Sequence, residues 1–407
     1  MPAPGAGWSI KRWLLLWVLL TAFGVAIHMV AWNVGNGPPP KAAELPGVKV
    51  LANFNHMVSA PGWVLVNVLT GFWGYGTLGP VTASSAIGWG LVTACLFVLV
   101  RARRSLLRPA DESVNLSRRR AIVNTATGVG VAVAGAGLAE AVVLEPTRLA
   151  VRRYSIPIRN LPAGFAGFRI VQISDTHLGP RISERYIGRA VELALSLEPS
   201  LLALTGDYIH TGAAYTDSAA RLFVPLVESR IPVVGTLGNH DWYGGGRRTS
   251  AALAAVGVRM IDNARVFIDA GTRTLSDLGG RDSICIAGLG DLGEDSIRPD
   301  QTLHGLPAEM PRIVLAHNPD SAEEASVTRA GASRIDLMLS GHTHGGQIYV
   351  PGAGTPFLPS RYGQKYAGGV CKGPRFPVVV SRGVGMSIFP VRIGVPPEIV
   401  VVELRPA

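Results

Sequence analysis

Cysteine is nearly missing from this chain: three in 407 residues, at Cys95, Cys285 and Cys371. No two form a C-x-x-C pair, which removes zinc-ribbon and thioredoxin-like chemistry. A Cys285–Cys371 disulfide stays open, and so few thiols say little about the redox compartment. Charge is scarce as well, with Asp, Glu, Lys and Arg making up 16% of the chain. Acidic residues are rarest at the start. Up to residue 120 there are eleven Lys or Arg and only three Asp or Glu, against 27 and 25 in the rest. Most of the net charge of +10 therefore sits in the first third. No nucleic-acid-binding motif accompanies it, so no nucleic-acid partner is expected.

That first third is rich instead in long apolar runs. Residues 13–32, "WLLLWVLLTAFGVAIHMVAW", suffice to span a bilayer as a helix. A cleaved signal peptide is the alternative, but no clean small-residue cleavage site follows. Further apolar stretches cover 62–82, 84–100 and 121–144. The segment 62–82 is broken by Gly and Pro and is the weakest of them. Residues 1–144 thus read as a membrane region of about three, possibly four, helices. With three crossings the basic loop 101–120 lies inside, as the positive-inside tendency requires, and residues 145–407 lie outside. The expected location is the cell membrane, multi-pass, with the remainder of the chain extracytoplasmic. "SRRRAI" (117–122) weakly resembles a twin-arginine export signal, which agrees. The run "GVGVAVAGAG" is no dinucleotide fingerprint, since arginines precede it and no amphipathic helix follows; small residues at a helix–helix contact explain it better.

Residues 145–165, "EPTRLAVRRYSIPIRNLPAGF", read as a linker. From 166 to 407 the pattern changes to short β-branched runs at 168–174, 200–205, 231–237, 283–289, 312–316, 335–340, 376–381 and 398–404. Helical patterns at 182–198, 217–229 and 321–331 separate several of them. Such alternation predicts an α/β domain.

Five of these runs end in polar clusters. "SDTHLG" supplies Asp175 and His177; "TGDYIH" supplies Asp207; "LGNHDW" supplies Asn239, His240 and Asp241; "LAHNPD" supplies His317; "SGHTHGG" supplies His342 and His344. Each residue alone is ordinary, and a lone histidine in a loop is usually just polar surface. Five clusters, each after a β-type run, are hard to assign to chance. Carboxylate, imidazole and amide oxygen together suit Mn²⁺, Fe or Zn²⁺ better than Ca²⁺. They are too many donors for one ion, and with one shared carboxylate they serve two. Two ions roughly 3.5–4 Å apart can bind hydroxide and clamp a phosphoryl group as it is displaced.

The order D-x-H, G-D, G-N-H-D, H, G-H-x-H resembles the calcineurin-like metallophosphoesterase superfamily, and "LAHNPD", "SGHTHGGQ" and the tail "SRGVGMSIFPVRIGVPPEIVVVEL" resemble its membrane-associated or exported bacterial branch. The likeness covers about residues 166–407. It implies a sandwich of two mixed β-sheets flanked by helices. It implies one metal on Asp175, His177, Asp207 and His344 and a second on Asp207, Asn239, His317 and His342, with Asp207 bridging. It implies that His240 contacts the phosphate and protonates the leaving oxygen. Asp241 then either orients that ring or caps a turn. His210 departs from the family pattern, where an acidic residue is common; it either lines the pocket mouth or is a surface histidine. Tyr208, Lys365 and Tyr366 are further pocket candidates, while Arg181 and Arg185 fit a solvated helix start.

The implied activity is hydrolysis of a phosphodiester, lipid- or envelope-linked, by a metal-activated hydroxide. The alternatives are a phosphomonoesterase, or a pyrophosphatase acting on a lipid-sugar nucleotide. A non-catalytic scaffold would have lost ligands, and all seven are here. A transporter would need more spans and paired intramembrane charges.

Overall fold

The computed structural model describes residues 139–407, apart from 330–332 and 388–390, together with Thr125, Val129, Ala136 and Gly137. The chain divides into two compact units, Met1–Gly135 and Ala136–Ala407. The expected spans at 13–32, 62–82 and 84–100, and more than half of 121–144, lie outside the described residues. Among the described residues no helix is long and apolar enough to cross a membrane.

The second unit is built on two sheets. The first has six strands in the order β1 (Ala150–Ile158), β13 (Glu398–Pro406), β2 (Arg169–Ile173), β3 (Leu201–Thr205), β4 (Val233–Thr236) and β5 (Arg259–Met260). β2 to β5 run parallel, β13 is antiparallel to β2, and β1 is parallel to β13. The second sheet has seven: β11 (Gly369–Lys372), β12 (Pro377–Val380), β10 (Leu337–Ser340), β9 (Arg312–Leu315), β8 (Ser283–Gly288), β6 (Arg265–Asp269) and β7 (Leu275–Ser276). β12, β10, β9 and β8 are parallel neighbours, and both margins are antiparallel. Both sheets are therefore mixed, as expected.

The strands are apolar on both faces because both faces are covered. Alternate residues such as Ile170, Leu201, Ala203 and Val400 meet Ile284, Ile313, Leu315 and Leu339 in a dry core between the sheets. The other face of the first sheet, including Val171, Leu202, Leu204 and Val401, packs on α1 (Glu184–Ser196) and α2 (Thr216–Leu222). α1 begins at Ser183, whose hydroxyl accepts the Tyr186 amide, and turns Ile187, Ala190, Val191 and Ala194 to the sheet. The outer face of the second sheet, with Cys285, Val314 and Met338, is covered by Leu303, Val327 and Tyr366. Each fully buried aliphatic side chain contributes about 1.5–3 kcal/mol.

Three details differ from the sequence reading. The expected linker at 145–165 contains β1, which pairs with β13 along nine residues. Arg152, Arg153 and Pro157 disguise it, and an edge strand tolerates all three because its outer margin faces solvent. The helix expected at 217–229 is two: α2, then α3 (Val224–Glu228), parted where Pro225 cannot donate to the preceding turn. Cys285 and Cys371 are both buried and free, so no disulfide joins them.

Candidate metal centre

The polar clusters stand at the carboxyl ends of β2, β3 and β4 in one sheet and of β9 and β10 in the other. Backbone bonds lace neighbouring loops together. Asp175 N–H donates to Gly206 O (3.0 Å), His177 N–H to Asp207 O (2.9 Å) and Gly341 N–H to His317 O (2.9 Å). Among the described residues three groups have potential donor atoms within 4.8 Å of one another: Asp175, His177 and His344; Asp207, His317 and His342; and His177, His210 and His240, the first two made wholly of expected ligands. His177 Nε2 and His344 Nε2 lie 2.9 Å apart. Asp175 Oδ1 is 3.4 Å from His344 Nε2. Asp207 Oδ2 is 3.4 Å from His177 Nε2 and 3.2 Å from His317 Nε2. Asn239 Oδ1 lies 3.0 Å from His342 Nδ1. All seven residues expected as ligands are thus brought to one place.

The backbone is bent to achieve this. Asp175, His177, Asp207, His342 and His344 all have φ between 46° and 68°. Non-glycine residues rarely adopt that region, and each such residue costs on the order of 1–3 kcal/mol that the surroundings must offset. Space is also withheld. A Cβ at Gly238 would strike Asp207 Oδ1 and meet His317 Cε1 at 2.8 Å, and one at Gly341 would strike Ser174 Oγ and Asp175 Oδ2.

Charge at the site follows from dryness. Burial pushes the His177 and His344 imidazoles well below their usual pKa and takes His342 down to about 3. Burial also raises Asp175 to about 6, with the Asp207 charge adding and His317 opposing. For Asp207 burial pulls upward, but His317, His240 and His177 outweigh it and hold the carboxyl well below its usual range. Conversely, burial would lower His317, yet its contact with Asp207 holds it well above an ordinary imidazole.

These residues fit divalent cations. Two neutral imidazoles whose Nε2 atoms face each other at 2.9 Å share at most one proton, while two carboxylates crowd the same space. A cation satisfies such converging lone pairs; a single proton does not. The outer contact agrees: His317 Nδ1 is 2.7 Å from Thr205 O, which fixes that nitrogen as a donor and leaves Nε2 facing the site.

The surroundings correct two expectations and supply a residue not foreseen. Asp241 does not orient the His240 ring. Its Oδ2 accepts the amides of Asp207 (2.8 Å) and Gly238 (2.9 Å), and its Oδ1 those of Tyr208 (2.9 Å) and Ile209 (3.3 Å). It ties together the turns that carry Asp207 and Asn239, the capping role. His240 is instead held through Nδ1, which donates to His210 O at 2.5 Å, while its Nε2 lies 3.2 Å from Ser387 Oγ. The His210 ring stacks on it with centroids 5.3 Å apart. Ser387 lies in the tail "SRGVGMS", whose small residues gave no chemical signal in the sequence. Tyr208 is no pocket residue: it is buried, and its hydroxyl donates to Thr236 O at 2.8 Å, with Leu204 O 3.2 Å away. Lys365 and Tyr366 are both engaged with Glu323, at 2.5 and 2.6 Å. Arg185 is exposed and Arg181 half-buried, flanking the start of α1.

A fold of two mixed sheets that gathers carboxylate, imidazole and amide donors at its strand ends defines a metal-dependent hydrolase. The chain belongs to the calcineurin-like phosphoesterase family, whose pattern matches residues 168–346. It is 33% identical over 283 residues to the metallophosphoesterase YkuE of Bacillus subtilis, covering 69% of this chain and 94% of that protein. It is 33% identical over 243 residues to phosphodiesterase YaeI of Escherichia coli, covering 59% of this chain and 83% of that one. It is 30% identical over 262 residues to a transmembrane protein with metallophosphoesterase domain from Danio rerio, covering 62% and 56%. The chain is a hydrolase acting on phosphoester bonds, and its family works with two divalent metals.

Two outcomes follow from this geometry. Asp241→Asn removes acceptors from buried amides, each costing about 1–3 kcal/mol when left unpaired. Thermal stability and metal content should both fall, while the pH profile of residual activity stays in place; a displaced profile would return Asp241 to the His240 ring. Because the contact with Asp207 raises the His317 pKa well above that of an ordinary imidazole, a cation taking Nε2 competes with a proton there. Titrating metal-free protein with Mn²⁺ in buffers of different ionisation enthalpy should register proton release, and affinity should rise with pH through the raised His317 pKa.

Proposed function

We propose that the protein hydrolyses a phosphodiester that is lipid- or envelope-linked, with its catalytic unit outside the cytoplasmic membrane. One cation would be held by Asp175, His177, His344 and Asp207, the other by Asp207, Asn239, His317 and His342. The observation that carries this reading is Asp207 Oδ2, a single oxygen within 3.4 Å of His177 Nε2 and 3.2 Å of His317 Nε2. It stands between the two donor groups, where a bridging carboxylate belongs. When bound, such a pair of ions supplies a lowered pKa for water and positive charge for the phosphoryl oxygens.

The protein's own part is placement and proton transfer. Asp207 Oδ1 accepts the His240 amide at 2.9 Å, so the bridging residue also fixes the backbone of the proposed acid. His240 donates through Nδ1 to His210 O, which leaves Nε2 to carry the exchangeable proton to the departing alkoxide. Ser387 Oγ, 3.2 Å from Nε2, positions that proton until substrate arrives. The burial of every candidate ligand but Asn239 and His342, which are half-buried, keeps bulk water from competing for them.

The diester preference is supported by the likeness to a phosphodiesterase, and the membrane linkage by the apolar runs of residues 1–144 and by a relative that is itself a transmembrane protein. His240→Ala should lower kcat by about 10²–10⁴ with metal content intact. This should be measured on chromogenic diesters, monoesters and a nucleotide-sugar pyrophosphate; a preference for either of the last two replaces the diester reading. A reporter fused to the C-terminus should be active only if it works outside the cytoplasm, and cytoplasmic signal there would refute the proposed topology.

A further inference from the structure

Of the large apolar side chains exposed on the second unit, Tyr243, Leu278, Tyr362 and Val370 stand outside the group considered next. Val143, Leu144, Tyr349, Val350 and Ile393 are each between 42% and 57% exposed. Three segments carry them, and hydrogen bonds join the segments. Tyr349 N–H donates to Ile393 O at 2.8 Å, and Ile393 N–H donates to Gln347 O at 2.8 Å. Gly394 N–H donates to Glu145 Oε2 at 3.0 Å, and Arg392 N–H to Ala141 O at 3.0 Å. The loop behind the patch is pinned from within. The fully buried Arg392 guanidinium donates to Val395 O, Arg382 O, Gly383 O and Gly385 O.

The same elements reach the metal centre directly. Gln347 follows His344 by three residues, and its Oε1 accepts the Ser387 amide at 3.1 Å. Ser387 in turn lies 3.2 Å from His240. One end of this short path is therefore the proposed proton donor and the other is Leu144, where the apolar run 121–144 ends.

We propose that Val143, Leu144, Tyr349, Val350 and Ile393 seat the catalytic unit on the lipid bilayer, so that the metal centre receives phosphoesters at headgroup depth. The inference rests on the membrane reading above and names the surface that would realise it. The occupant is a bilayer rather than another protein because the chain itself delivers an apolar run of spanning length to this patch. Its chemistry agrees: aliphatic side chains beside a tyrosine suit the interfacial zone, where an aromatic ring meets hydrocarbon and its hydroxyl meets water. Arg148, paired with Glu140, and the exposed Arg152 and Arg153 follow within a few residues and add positive charge of the kind that favours anionic lipid.

The test uses the full chain in phosphatidylcholine–phosphatidylglycerol vesicles. In a Cys95→Ser background the two remaining cysteines are buried. Nitroxide labels go on Val350→Cys, Ile393→Cys and, as a control in a different surface cleft, Leu278→Cys. Collision with oxygen relative to a polar nickel chelate should be several-fold higher at 350 and 393 than at 278. Equal ratios at all three positions overturn the proposal, and so does strong dipolar broadening at 350, which would mean that a second copy covers the patch. Hydrolysis of a chromogenic diester is measured on the same samples. The label readout does not depend on it, so loss of the seating surface and loss of the proposed activity are told apart. Release of the protein by alkaline washing would remove the membrane reading itself.

Discussion

Everything at the carboxyl ends of these strands answers to one electrostatic problem: two carboxylates and four imidazoles held together away from water. Without cations the arrangement is costly, because converging lone pairs repel and burial penalises each charge. The fold meets the cost with rigid scaffolding. Asp241 gathers four amides, Asp175 Oδ1 accepts the His342 amide, and the left-handed backbones of five donors are fixed by neighbouring loops. Stability is spent there in exchange for a constellation that needs little rearrangement to take up metal.

The sandwich explains why donors from distant parts of the chain can meet. β2, β3 and β4 belong to one sheet, β9 and β10 to the other, and the apolar core holds the two at fixed spacing. Gln172 crosses between them, donating through Nε2 to Thr205 Oγ1 and to Ser340 O. His317 does the same from the opposite direction, reaching Thr205 O. The candidate metal centre is thus where the sheets are sewn together, and each sheet contributes side chains to both donor groups.

Much of this was legible in the sequence, for definite reasons. Ligands must follow strands, and strands buried on two faces announce themselves as β-branched runs, so "FRIVQISDTH" or "IDLMLSGHTH" carries both position and chemistry. What stayed hidden were relationships that no local pattern encodes. β1 looked like a linker because its arginines and prolines break the apolar pattern. Asp241 looked like a partner for the histidine beside it, yet its carboxylate turns to amides of a loop more than thirty residues earlier. Ser387 and the His210 carbonyl bear on His240 only after the chain has folded back on itself.

The position of β13 has its own consequence. It lies between β1 and β2, though both are drawn from far earlier in the chain. Until residues 398–406 have left the ribosome, β2 keeps an unpaired edge and the first sheet stays open on that side. Such late, non-local closure folds slowly, and a half-made molecule offers a sticky margin to its neighbours. Closure of the first sheet therefore waits on residues 398–406, however early its other strands are made.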